Sequence, residues 1–131
     1  MNTAIELHDS ECLAVEIAEL NRGFVLLRAY VHRTIGIPGE SPGDGGYQLV
    51  RIKIDAMTID GEIGNLPAYI YEGSLVVGTS IQDNLVPFPA KYSEVVCLKL
   101  MFSGDAQVIS VSGTGMSIEP EGVFQYVESI Q

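Results

Sequence analysis

Residues 23–34 read GFVLLRAYVHRT, and no proline or turn residue interrupts them after the opening glycine. Val25, Leu27, Ala29 and Val31 fall on one parity, and Leu26, Arg28, Tyr30 and His32 on the other. In an extended chain successive side chains point to opposite faces, so this is a long strand with one buried face and one amphipathic or wet face. As a helix the segment would carry apolar residues all round, with Arg28 and Arg33 among them, and no apolar stripe to bury. The strand reading therefore organises the rest of the chain.

Working outward, Ile5–His8 and Cys12–Leu20 are candidate strands before it, and Asn21-Arg22-Gly23 is a tight turn into it. A short helix capped by Ser10 competes over the second segment, because Leu13, Ile17 and Leu20 also share a helical face. After it, IGIPGESPGDGG (35–46) holds five glycines and two prolines and reads as one long surface loop. Tyr47–Ile54 alternates with Val50, Ile52 and Ile54 inward. Met57–Ile63 and Pro67–Gly78 read as two small hairpins, turning at Asp60-Gly61 and Glu72-Gly73. Leu85-Val86-Pro87-Phe88-Pro89 belongs at an edge or a crossing connection, since prolines cannot donate to a ladder.

In Glu94–Phe102 the residues Val96, Leu98, Leu100 and Phe102 share a face, and Ser103-Gly104-Asp105 turns the chain into Gln107–Ser112. The apolar parity then shifts at Gly113 and Gly115, as a bulge or sharp bend would require. Pro120–Gly122 makes the last turn before Val123–Val127. The expected fold is all-β: a single domain over residues 1–131, an antiparallel sandwich or partly open barrel of about nine or ten strands.

Composition agrees. Thirteen valines and thirteen isoleucines against eleven leucines and eight alanines favour strands. At 131 residues one core is the default. The net charge of −10, from 17 acidic and 7 basic residues, argues against nucleic acid and anionic membrane surfaces as partners. It suits solubility or a basic protein partner. The first residues, MNTAIELHDSE, show no signal-peptide pattern, and no apolar run approaches the roughly 20 residues of a spanning helix. Cys12 and Cys97 lack metal-type spacing and read as reduced, partly buried thiols of a cytoplasmic protein.

Few residues carry chemistry. His8-Asp9-Ser10 is no triad, because neighbours in an extended chain point apart and Asp9 cannot orient His8 toward Ser10. His8, Asp9, His32 and Asp44 would suit zinc or iron if the first strand lay beside the long one. Against this, the chain has only two histidines and neither sits in a ligand motif. The loop GESPGDGG has glycines but neither a phosphate-loop Lys-Ser/Thr nor a following helix. Arg28, Tyr30 and His32 share one strand face, which in a curled sheet becomes a cleft for a small anion and on a flat one a solvent or dimer face.

Leu7-His8-Asp9-Ser10, Ala29-Tyr30-Val31-His32-Arg33, the Gly36–Gly46 loop with Gln48, and Asp83-Asn84-Leu85 with Pro87 together make the chain resemble a family of small uncharacterised bacterial all-β proteins. The resemblance implies a bacterial, cytosolic, all-β protein and brings no catalytic residue and no cofactor. With the face pattern, it marks His8, Asp9, Arg28, Tyr30, His32 and Arg33 as candidate ligand-binding residues. The functional expectation is a non-enzymatic binding or protein-interaction module that forms homo-oligomers. The alternative is a small-molecule-binding or metal-dependent β-barrel enzyme built on the His8/His32 region.

Overall fold

Strand propensity and alternation build a chain of twelve strands in a computed structural model that describes residues 1–104 and 107–131. They are β1 (Asn2–Ile17), β2 (Gly23–Thr34), β3 (Gly43–Asp55), β4 (Thr58–Asp60), β5 (Ala68–Val77), β6 (Ser80–Asp83), β7 (Leu85–Pro87), β8 (Ala90–Tyr92), β9 (Val96–Phe102), β10 (Val108–Gly113), β11 (Gly115–Pro120) and β12 (Gln125–Ile130). Nine of them run β4-β10-β9-β5-β1-β2-β3-β11-β8 in one curled sheet, a half-barrel. β6 is added on β5, β7 on β1 and β12 on β3. The recorded pairings are antiparallel, so the all-β expectation holds.

The inner face of β2 is the expected one. Val25, Leu27, Ala29 and Val31 are fully buried and join Ile52 and Ile118 from one half of the sheet with Leu98, Leu100, Ile109 and Val111 from the other. Burying such branched side chains contributes about 1.5–3 kcal/mol each, the main drive for closing the curl.

Several boundaries differ from the sequence reading, each for a physical reason. The first two expected strands are one strand, β1, interrupted by a bulge: β1 advances from Glu6 to Glu11 while β2 advances only from Tyr30 to Arg28. Asp9 takes a left-handed backbone conformation there (φ 78°). A 3-10 turn at Glu19–Asn21 replaces the end of the expected second strand. The expected hairpin at Glu72-Gly73 is a continuous strand with a bulge, β5. A Cβ at Gly73 would lie 2.9 Å from Leu7, so this glycine serves close packing and not a turn. The hairpin into β6 turns at Gly78 instead.

Glu62 and Ile63 form no strand, and β4 pairs with β10. The expected 35–46 loop ends at Pro42, where β3 begins. The parity shift near Gly113 marks the crossing from β10, which pairs with β9 and β4, to β11, which pairs with β3 and β8. Of the expected Ser103-Gly104-Asp105 turn, Asp105 lies outside the described residues.

Candidate functional site

The outer face of β2 is where the sequence directs attention. In register, Tyr30 stands opposite Glu6 of β1 and Tyr47 of β3, and His32 stands opposite Ala4 and Gly45. The β1 bulge is held by Ser10, which is fully buried. Its hydroxyl donates to the Glu6 carbonyl (2.6 Å) and accepts from the Tyr30 amide (2.9 Å). The same bulge is tied to β5 through Asn84, whose side-chain oxygen accepts from the His8 amide (2.6 Å) and whose amide donates to the Gly73 carbonyl (3.0 Å). Ser10 and Asn84 thus satisfy backbone groups that the missing ladder leaves without partners, a structural task.

This face is not wet at its far end, contrary to the expectation from alternation. Tyr30 is 8% and His32 3% exposed. The segment 35–42 folds back over His32, and the Gly39 amide donates to His32 Nδ1 (2.7 Å). That bond places the imidazole proton on Nε2, which is buried and has no hydrogen-bond partner among the described residues. β12 covers Tyr30, and the Tyr30 hydroxyl donates to Glu128. Gly45 makes this possible, since a Cβ there would lie 2.1 Å from that hydroxyl.

A cavity of about 480 Å³ remains beside the pair, bounded by Glu6, Asp9, Tyr30, Tyr47, Val127 and Glu128. Its character is acidic. Burial pushes the Glu6 carboxyl above its usual range, Asp9 adds to the shift, and His8 and a hydrogen bond from Asn84 oppose it. Burial, followed by the Glu128 hydrogen bond, likewise raises the Tyr30 phenol.

The six candidate residues divide accordingly. Asp9 and Tyr30 line the cavity, and Arg28 borders it through Tyr47, its guanidinium lying 3.8 Å above that ring. Tyr47 also meets Tyr30 edge-on at 5.5 Å. His8 faces another way: its Nδ1–H donates to the Tyr71 carbonyl (2.7 Å), and its Nε2 lies 3.5 Å from Asp9. Arg33 sits on the opposite parity, stacked 3.6 Å over Phe124 and 3.7 Å from Asp44. The two imidazoles therefore engage different elements. Among the described residues no group of three or more His, Cys, Asp or Glu converges as metal ligands would. Burial pushes the Cys12 thiol up to about 12, which keeps it unreactive, and Cys97 is a free thiol too.

Sequence reasoning missed Glu6 and Glu128. Nothing in the sequence pairs residues so far apart, although Gly45-Gly46 in a strand is the signal that another segment approaches closely. The fold and site together define an all-β half-barrel whose outer face carries a partly enclosed acidic pocket. No family model matches the chain, and no curated protein or solved structure does so either. No helix among the described residues is long and apolar enough to cross a membrane.

Proposed function

We propose that the protein is a non-enzymatic binding or interaction module that self-associates through β12. The observation that carries this reading is the outer edge of that strand. Among the described residues β12 pairs only with β3, so its other row of backbone N–H and C=O groups is open for a further strand. Tyr126 and Val127 on it are 59% and 51% exposed. Its single charged residue, Glu128, turns its carboxylate to the Tyr30 hydroxyl.

The acidic remainder of the surface suits a basic protein partner, and by the same argument neither nucleic acid nor membrane. The resemblance adds a bacterial, cytoplasmic setting. The competing reading, a ligand- or metal-dependent enzyme on His8 and His32, draws less support, because the two imidazoles engage different elements and no ligand group of three or more converges among the described residues.

Light scattering after size exclusion tests the proposal. The expected result is a concentration-dependent dimer that the double variant Tyr126→Lys, Val127→Lys returns to monomer with unchanged circular dichroism, since edge lysines block strand addition. A strict monomer at about 100 μM, a range in which weak specific dimers still form, overturns it. So does a dimer indifferent to both lysines.

A further inference from the structure

The opposite end of the same sheet face holds a cluster of unlike character. Phe24 of β2 is opposite Lys53 of β3, Lys53 is opposite Ser117 of β11, and Ser117 is opposite Lys91 of β8. One register step away, Leu26 is opposite Arg51. Arg22 enters from the turn before β2. The result is a cavity of about 460 Å³ lined by Arg22, Arg51, Lys53 and Lys91 together with Phe24. Four of the seven basic residues of an acidic chain thus converge on one concavity.

Their partners differ. Arg51 lies 4.2 Å over the Phe24 ring and makes two contacts of 3.2 Å to Glu121. Lys53 is 3.0 Å from Glu119, whose carboxyl is held below the usual range by the Lys53 hydrogen bond and charge, with Lys91 contributing. Arg22 and Lys91 are exposed and take part in none of the ion pairs among the described residues. Among the described residues Asp55 is the one acidic residue lining the cavity.

We infer that this cavity binds a small phosphate monoester carrying a flat aromatic body, of the size of a mononucleotide. Two unpaired cations of different geometry, a planar guanidinium and a point-charge ammonium, match a doubly charged group better than a single carboxylate. The Phe24 ring, half-buried beside the Arg51 guanidinium, offers apolar surface to a planar body, and the volume lies in the range of small-ligand sites. Glu121 and Glu119 engage Arg51 and Lys53, so Arg22 and Lys91 supply the positive charge left for a ligand, while acidic residues beyond about 8–10 Å are screened at ordinary salt. A polymeric nucleic acid would extend past the cavity into the acidic surface, which repels it. No β12 residue lines the cavity, so this inference and the self-association proposal fail independently.

Calorimetric titration of the full chain with adenosine 5′-monophosphate, adenosine, inorganic phosphate and a short single-stranded oligonucleotide tests it. Saturable binding of the monophosphate is expected, with adenosine and inorganic phosphate each weaker by about tenfold or more. The exposed double variant Arg22→Ala, Lys91→Ala should weaken the monophosphate by about tenfold while its thermal unfolding stays as in the parent. Absence of saturation by about 5 mM monophosphate overturns the inference. Equal binding of inorganic phosphate, tighter binding of the oligonucleotide, or full affinity in the double variant does so as well.

Discussion

The two ends of the outer face of β2 began, in sequence, as the same thing: alternate residues on the side away from the core. At the Phe24 end the face stays open, and its cations line a concavity. At the Tyr30–His32 end, segment 35–42 and β12 have folded over it, and the polar groups have become interior groups with hydrogen bonds to Glu128 and Gly39. The difference teaches that alternation decides which side of a strand a residue faces. Whether that side meets water is decided by another segment, here one made able to approach by Gly45 and Gly46.

The comparison breaks most sharply if the covering strand is pushed away. A Cβ at Gly46 would lie 2.3 Å from the Gln125 carbonyl and 2.6 Å from the Phe124 ring, so backbone and not merely a flexible side-chain tip must move. Gly46→Ala is expected to destabilise the protein by about 3 kcal/mol in chemical denaturation, the upper end of overpacking costs. It should also raise hydrogen exchange along 125–130, and unchanged exchange there would mean that β12 does not depend on this contact. Ser10→Ala comes next. It strips the buried Tyr30 amide and Glu6 carbonyl of their bridging hydroxyl, and about 1–3 kcal/mol should be lost. Arg22→Ala at the open end serves as the control and should lie within about 0.5 kcal/mol of the parent.

Much of the fold was legible. The core parities of β2 and β9 are legible residue by residue, because Val25, Leu27, Ala29 and Val31, like Val96, Leu98, Leu100 and Phe102, obey a period of two without exception. Local pattern misleads where a residue type serves two purposes. Glu72-Gly73 carries turn chemistry, yet Gly73 exists to let Leu7 in. Gly43–Gly46 looks like loop, yet it is strand beneath Tyr30, Phe124 and β12. The sites were less legible than the fold. Glu6 with Glu128, and Arg22 with Lys91, are brought together only by sheet order and register, which no local pattern encodes.

A smaller effect separates the ends by pH. Folding raises the Glu6 carboxyl above its ordinary value of 4.5, so between that value and the raised one the folded state holds more protons than the unfolded state. Stability from this group is therefore present at pH below the ordinary value and declines as pH rises through the raised one. Glu6→Gln removes the dependence: the variant should gain on the parent at neutral pH and show no such gain near pH 4, a value just below the ordinary carboxylate range. A constant difference across the two conditions would show that Glu6 is not held in an environment hostile to its charge.

The smallest effect is expected at Glu121, and it discriminates most finely. Its pair with Arg51 is half-exposed, and such surface pairs contribute about 0–1 kcal/mol, so Glu121→Gln should shift unfolding by less than about 0.5 kcal/mol. The same change frees a guanidinium already stacked on Phe24 to face the cavity. If the open end is a ligand site, affinity for adenosine 5′-monophosphate should rise about two- to fivefold, the worth of one surface ion pair no longer competing. If the cations there are only a solvated ion-pair network, the substitution will leave both stability and titration unchanged. In that case the two ends of β2 would differ in cover but not in purpose.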